Sequence, residues 1–221
     1  MADYSATRDR VEHYFDRSAT KVWERLTSDA PVSRIRQTVR EGRDRMRAVM
    51  LGQLPDDLRG ARVLDAGCGA GQMTAELAAK GADVVAVDIS PALVEIARAR
   101  LPEAHSGRVS FASGDMTADH GHFDYVLAMD SLIYYGTRDI TDALARLGER
   151  TRAAVVFTVA PKTPFLMTFW SMGKLFPRAD RSPIMVPHAF STLRRATKGR
   201  LTKVERVSRG FYISECLEYR P

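Results

Sequence analysis

Arg62-Val-Leu-Asp-Ala-Gly-Cys-Gly-Ala-Gly71 decides the fold of this chain. Val63 and Leu64 read as the end of a buried strand, and glycines at 67, 69 and 71 turn the chain into a helix over 71–80. Gly67 and Gly69 can take positive φ and leave no Cβ between the backbone and a ligand. The helix beyond them offers unpaired N–H groups and a positive dipole end. A dinucleotide fingerprint, Gly-x-Gly-x-x-Gly, requires glycine at position 72. This chain has Gln72, its third glycine comes one residue early, and Asp65 stands two residues before the first. That arrangement suits a cationic ligand that carries a carboxylate better than it suits a pyrophosphate.

A strand, a glycine turn and a helix would fit any α/β connection, so the next two strands matter more. Asp83-Val-Val-Ala-Val-Asp88-Ile89 is a continuous apolar run ending in a carboxylate about 20 residues after the turn, where such folds hydrogen-bond a ribose. Val109-Ser-Phe-Ala-Ser-Gly-Asp115-Met116 again ends in an acid, placed to accept from an adenine amino group. Strand ends that deliver polar residues match a ligand crevice at the carboxyl edge of a parallel sheet. The glycine motif with these acids resembles the cofactor site of S-adenosylmethionine-dependent methyltransferases of the Rossmann-like class.

Working outward, residues 62–67, 83–88, 109–113, 124–129 and 153–159 read as strands, with helices near 71–80, 91–101 and 139–150 between them. Alternation of this kind marks a parallel sheet covered on both sides. Two last strands, 201–207 and 211–219, leave no room for a helix and must pair antiparallel through Ser208-Arg209-Gly210. The expectation is an α/β, seven-stranded, mostly parallel sheet with one antiparallel strand, unlike the plan of nicotinamide dehydrogenases. Residues 1–55 stand before it as a helical extension, separated by Pro55 and Asp56-Asp57 from a cofactor-binding domain over 56–221. The extension carries apolar residues at helical spacing. It also carries Arg34, Arg36, Arg40, Arg43, Arg45 and Arg47, which read as a solvated face ahead of an attractor for acidic substrate or membrane. Residues 161–187 form an insertion rich in large apolar residues. It could pack on the domain, cap a hydrophobic pocket or touch a membrane.

The chain has 221 residues, 45% of them hydrophobic, a net charge of +6 and a pI of about 9.5. This suffices for one α/β domain with an extension. No run reaches the roughly 20 apolar residues of a membrane span, and no basic-then-apolar leader is visible at the start. Cys68 and Cys216 read as neither a disulfide nor a metal site, which favours a reducing cytoplasm. His13, His105, His120 and His122 show no ligand spacing, so no protein-bound metal is expected. The positive charge permits nucleic acid, anionic lipid or a polycarboxylate substrate without choosing among them.

Further motifs narrow the resemblance. Phe123-Asp-Tyr-Val-Leu-Ala-Met-Asp130 leads into Ser131-Leu-Ile-Tyr134-Tyr135. Tyr14-Phe-Asp-Arg, Lys21-Val-Trp23, Val32-Ser-Arg-Ile-Arg-Gln-Thr-Val-Arg-Glu-Gly-Arg and Lys174-Leu-Phe-Pro-Arg-Ala-Asp-Arg-Ser-Pro183 accompany it. Together these segments resemble the magnesium-protoporphyrin IX methyltransferase family of (bacterio)chlorophyll biosynthesis, along nearly the whole chain. The resemblance implies a class I methyltransferase fold and transfer of a methyl group from S-adenosyl-L-methionine to a propionate carboxylate of magnesium protoporphyrin IX. The products would be the monomethyl ester and S-adenosyl-L-homocysteine.

Carried onto this chain, the family's site implies Asp65, Gly67, Gly69 and Gly71 at the methionine portion and Asp88 with Ile89 at the ribose. Asp115 and Met116 would meet the adenine, with Asp130 beside the methyl-transfer point. Tyr14 and Tyr134 are the implied catalytic residues. Where the family pattern reads Leu-Ile-His-Tyr, this chain reads Leu132-Ile133-Tyr134-Tyr135, so Tyr134 stands in place of a histidine. Trp23, Tyr135, Phe165, Trp170, Arg181 and His188 are the expected porphyrin contacts. His188 is also readable as a helix-start histidine at the surface. Transient contact with magnesium chelatase and peripheral contact with the inner or photosynthetic membrane complete the expectation, with no nucleic acid. The rival readings are methyl transfer to a quinone or phenol and, behind it, to RNA. RNA binding would bring a steep salt dependence.

Overall fold

A computed structural model describes residues 4–14, 33–164, 166–168 and 185–221 of the chain. The named elements are α1 (Tyr4–Tyr14), α2 (Arg34–Leu51), β1 (Arg62–Ala66), α3 (Gln72–Ala79), β2 (Asp83–Asp88), α4 (Pro91–Arg100), β3 (Val109–Ser113), β4 (Phe123–Ala128), α5 (Thr137–Gly148), β5 (Thr151–Val159), α6 (Phe190–Ala196), β6 (Leu201–Arg209) and β7 (Tyr212–Tyr219). A 3-10 turn over Glu103–Arg108 precedes β3.

The seven strands lie in the order β3-β2-β1-β4-β5-β7-β6. β1 pairs parallel with β2 and β4, β2 with β3, and β4 with β5. β7 runs antiparallel to both β5 and β6, so it is the one reversed strand. The expected plan holds. Its physical reason is the loop: Arg209 pairs with Tyr212 across Gly210-Phe211, far too short for a crossover.

The order reverses beside β1, whose neighbours are β2 and β4, and this opens a crevice at the strand tips. Two hydrophobic clusters hold the layers. On one face Met46, Met50 and Leu51 of α2 and Met73 and Leu77 of α3 pack with Val63, Leu127, Val156 and Cys216 of the sheet. On the other, Ile140, Leu144 and Leu147 of α5 and Leu193 of α6 pack with Leu64, Val126, Phe157 and Leu217. The division expected near residue 55 therefore separates sequence patterns rather than cores, because α2 shares its apolar side with the sheet.

α2 lies against β6 and β7. A Cβ on Gly42 would come within 2.6 Å of the Tyr212 ring. The close approach of helix and strand is made possible by that missing carbon. The N-terminus of α2 is capped by Ser33, whose hydroxyl accepts from the Arg36 N–H at 3.4 Å. Trp23, Phe165, Trp170 and Arg181 lie outside the described residues, as does most of the 161–187 insertion.

Candidate active site

The carboxyl ends of β1, β2 and β3 and the loop after β4 border one cleft of about 1020 Å³, counted to its open mouth. Asp65, Gly67, Gly69, Asp88, Ile89, Asp115, Met116, Asp130, Tyr134 and Tyr135 all line it, so the structure brings most of the expected site together. Gly71 does not. It caps α3 at φ 83° and abuts Ala97 of α4, so its role is helix packing.

The glycine turn is pinned from both sides. The Gly67 and Cys68 N–H groups donate to the Val87 carbonyl at 2.7 and 3.0 Å. The Gly69 N–H donates to Asp88 Oδ2 at 2.8 Å, while Ser90 N–H donates to Oδ1 at 2.9 Å. Gly67 sits at φ 85°, and a Cβ there would run into Ser131, whose hydroxyl donates to the Ala66 carbonyl at 2.9 Å. Gly69 sits at φ 53° with no protein atom within 4 Å of where its Cβ would be. One glycine serves the fold and the other leaves room for a ligand.

Asp65 is buried, and the Thr74 hydroxyl donates to its Oδ2 at 2.5 Å. Burial raises its carboxyl to about 7; Thr74 opposes the shift and the Asp88 charge adds to it. A cationic group bound beside Asp65 would restore the ionised form. Burial also raises Asp115, but the Thr117 N–H and hydroxyl, the Tyr4 hydroxyl and Arg8 outweigh it and hold that carboxyl below its usual range. The Tyr4 hydroxyl donates to Asp115 Oδ1 at 2.9 Å, and its ring stacks on Tyr135 with centroids 4.9 Å apart. α1 thereby closes one side of the cleft, with Thr7 and Val11 buried beneath it.

Tyr134 is buried. Burial first, then the charge of Asp130 and the neighbouring Tyr14 phenol, raise its hydroxyl, and Arg43 acts in the opposite direction. It stays protonated and can donate. Tyr14, the last residue of α1, thus lies within electrostatic reach of Tyr134.

Asp130 follows β4 at φ 55°. The Thr158 hydroxyl donates to its Oδ1 at 3.1 Å, and the Tyr212 hydroxyl reaches Oδ1 and Oδ2 at 3.1 and 3.3 Å. Arg43 closes an ion pair on Oδ2.

Two readings are corrected by this geometry. His188 is buried away from the cleft lining, with Nε2 at 2.9 Å from the Tyr135 carbonyl and Nδ1 at 3.3 Å from the Thr137 hydroxyl. Both ring nitrogens serve the segment between β4 and α5, so it is not a surface histidine. Burial lowers its pKa. The arginines of α2 are also not one solvated face. Arg43 and Arg47 turn into the cleft, Arg47 pairing with Glu76 and Asp44.

Residues missed in the sequence are Tyr4, Arg8, Arg43 and Tyr212. The helical spacing of Tyr4, Thr7, Arg8 and Val11 was the available signal for the α1 residues.

Three acids at adjacent strand tips, a ligand-facing gap at Gly69 and a carboxylate that awaits a cation fit an adenosyl sulfonium amino acid. With the strand order, they define a Rossmann-like S-adenosylmethionine-dependent methyltransferase. Residues 63–153 match the description "Methyltransferase domain", and residues 128–221 match "Magnesium-protoporphyrin IX methyltransferase C-terminus".

Magnesium-protoporphyrin O-methyltransferase of Rhodobacter capsulatus is 64% identical over 222 residues, covering 100% of this chain and 99% of the relative. The Synechocystis enzyme of the same name is 28% identical over 215 residues, covering 94% of each. The crystal structure of magnesium protoporphyrin IX methyltransferase from Synechocystis PCC 6803 with bound SAH has a TM-score of 0.81 at 27% identity, covering 97% of this chain and 100% of that one. The chain belongs to the magnesium-protoporphyrin O-methyltransferase family.

Proposed function

We propose that the protein transfers the methyl group of S-adenosyl-L-methionine to a propionate carboxylate of magnesium protoporphyrin IX, giving the monomethyl ester in (bacterio)chlorophyll biosynthesis. The observation that carries the reading is identity along the full chain to the Rhodobacter capsulatus enzyme, well beyond the glycine motif shared across the class.

Bound S-adenosylmethionine supplies a methyl group on a sulfonium, which an ionised carboxylate attacks in line. A propionic acid resembles a Glu side chain, with an unperturbed pKa of about 4.3, so at neutral pH no proton has to be removed. What the protein must provide is placement, worth about 7–11 kcal/mol when reactants are well aligned, and exclusion of water. Asp65, Gly67 and Gly69 would hold the methionine portion, Asp88 the ribose, and Asp115 with Met116 the adenine. α1 excludes water over the adenine end through Tyr4 and Val11.

Tyr134 and Tyr14 would orient the substrate carboxylate by donating hydrogen bonds, a task that suits a phenol kept protonated. Tyr134 therefore replaces a histidine without loss of a needed base. Tyr14→Phe and Tyr134→Phe should each lower turnover about tenfold, roughly the loss of one hydrogen bond to a charged group, with the fold unchanged. Steady-state kinetics with unchanged turnover in both variants would remove the tyrosines from the mechanism.

Two finer elements belong to the same reading. The substrate is the product of magnesium insertion, so a hand-over contact with magnesium chelatase is proposed. Exposed Ile35 and Phe211 and the net charge of +6 support shallow contact with an anionic membrane surface. Among the described residues no helix is long and apolar enough to cross a membrane. The functional test is transfer of labelled methyl to magnesium protoporphyrin against a quinol and a catechol. Selective labelling of the porphyrin is expected, and labelling of the phenols alone would overturn the reading.

A further inference from the structure

We propose that Arg43 grips the carboxylate that is methylated, by exchanging its partner Asp130 for the substrate's propionate. The inference rests on the ester-forming reading above and deepens it.

Arg43 projects from α2 into the cleft beside Asp130 and Tyr134. Its side chain is only 16% exposed and that of Asp130 9%, so the pair is largely withdrawn from water. Removing one member of such a pair is costly because the other is left buried and charged. Exchange avoids that cost for Arg43 and lessens it for Asp130, which keeps two hydroxyl donors. A propionate arriving at Arg43 keeps the guanidinium paired, through a charge-assisted hydrogen bond to one carboxylate oxygen. Asp130 meanwhile keeps the hydroxyls of Thr158 and Tyr212, at 3.1 Å and at 3.1 and 3.3 Å. Its backbone N–H donates to Thr158 Oγ1 at 2.7 Å, which fixes its place after β4. The other cations lining the cleft are placed differently: Arg8 near Asp115 at 3.6 Å, and Arg47 on Asp44 and Glu76.

With one oxygen held by Arg43, the other is aimed at the methyl group. Its lone pair forms the new O–CH3 bond as the S–CH3 bond breaks, the electron pair of that bond remains on sulfur, and no proton moves. The new ester group is neutral. It no longer pairs with a guanidinium, so Arg43 returns to Asp130 and the product is shed.

The test is a fluorescence titration with magnesium protoporphyrin and with its dimethyl ester, in the presence of S-adenosylhomocysteine. It uses wild type, Arg43→Gln, Arg43→Lys and Asp130→Asn, with thermal midpoints and S-adenosylhomocysteine affinity measured alongside. Arg43→Gln should lose about tenfold or more in affinity for the diacid, equivalent to about 1.4 kcal/mol, with diester and S-adenosylhomocysteine affinities unchanged. Arg43→Lys should recover part of the loss. Asp130→Asn, tolerable because asparagine is enriched at positive φ, should bind the diacid more tightly by removing the carboxylate that competes for Arg43.

Equal losses for diacid and diester, or a loss confined to S-adenosylhomocysteine, would overturn the proposal. Should Arg43→Gln fail to fold, the diacid-to-diester ratios of the other two variants decide in the same way. A wild-type protein that neither binds nor methylates the porphyrin refutes the ester-forming reading itself, and the inference with it, before any variant is compared.

Discussion

Two glycines two residues apart separate fold from ligand. Gly67→Ala places a methyl group against Ser131 at φ 85°, whereas Gly69→Ala at φ 53° meets open space. Both substitutions bear the left-handed penalty of about 1–2 kcal/mol. Only Gly67→Ala adds a steric conflict, so its thermal midpoint should fall further. Gly69→Ala should stay folded and lose S-adenosylhomocysteine affinity by an order of magnitude or so; calorimetry and melting curves distinguish the pair.

Asp65 gives a pH signature. Its folded carboxyl is raised from 3.8 to about 7, so its contribution to stability is fully present below pH 3.8 and is lost as pH rises through 7. The thermal midpoint of the ligand-free protein should carry a downward component across that window, and Asp65→Asn should remove it. Affinity for S-adenosylhomocysteine should rise through the same window, because its ammonium favours the ionised acid. Asp65 and Asp88 were legible in the sequence because their spacing from the glycines fixes their place at strand tips. Arg43 was not, since six arginines on one helix look alike until the sheet shows which of them faces the tip of β4.

At the scale of elements, α2 is where sequence reasoning fell short. Its apolar positions announced a helix, but not that the helix would share a core with β6 and β7. The contact turns on Gly42. Alanine in a helix interior is ordinarily favoured over glycine by about 1 kcal/mol. Here the added carbon would sit 2.6 Å from the Tyr212 ring, and overpacking of this kind costs about 1–3 kcal/mol. Gly42→Ala should therefore lower stability in denaturant titration rather than raise it. It should also reduce turnover, because displacing Tyr212 disturbs its hydrogen bond to Asp130. A stabilised, fully active Gly42→Ala protein would show that α2 and β7 are less closely coupled than the structure indicates. His188 went wrong for a related reason: its neighbours in sequence say nothing of the Tyr135 carbonyl it meets across the fold.

The whole molecule arranges these parts by topology. A mostly parallel sheet with one reversed strand was readable because strands and helices alternate up to β5 and because the last two strands are joined by a turn too short for a crossover; the order 3-2-1-4-5-7-6 came only with the structure. That order sets Asp65, Asp88 and Asp115 at neighbouring strand ends and brings the loop after β4, with Asp130 and Tyr134, to the same cleft. The acids proposed to hold a sulfonium nucleoside thus share one cleft with Arg43 and Tyr134, which suit a carboxylate.

Mass spectrometry of the porphyrin after incubation with the protein and S-adenosylmethionine tests this division most directly, with the product then treated with mild alkali. The account predicts a gain of a single methylene unit that alkali reverses, the mark of a carboxylate ester. An unchanged porphyrin, or a methyl group that survives alkali, would contradict it.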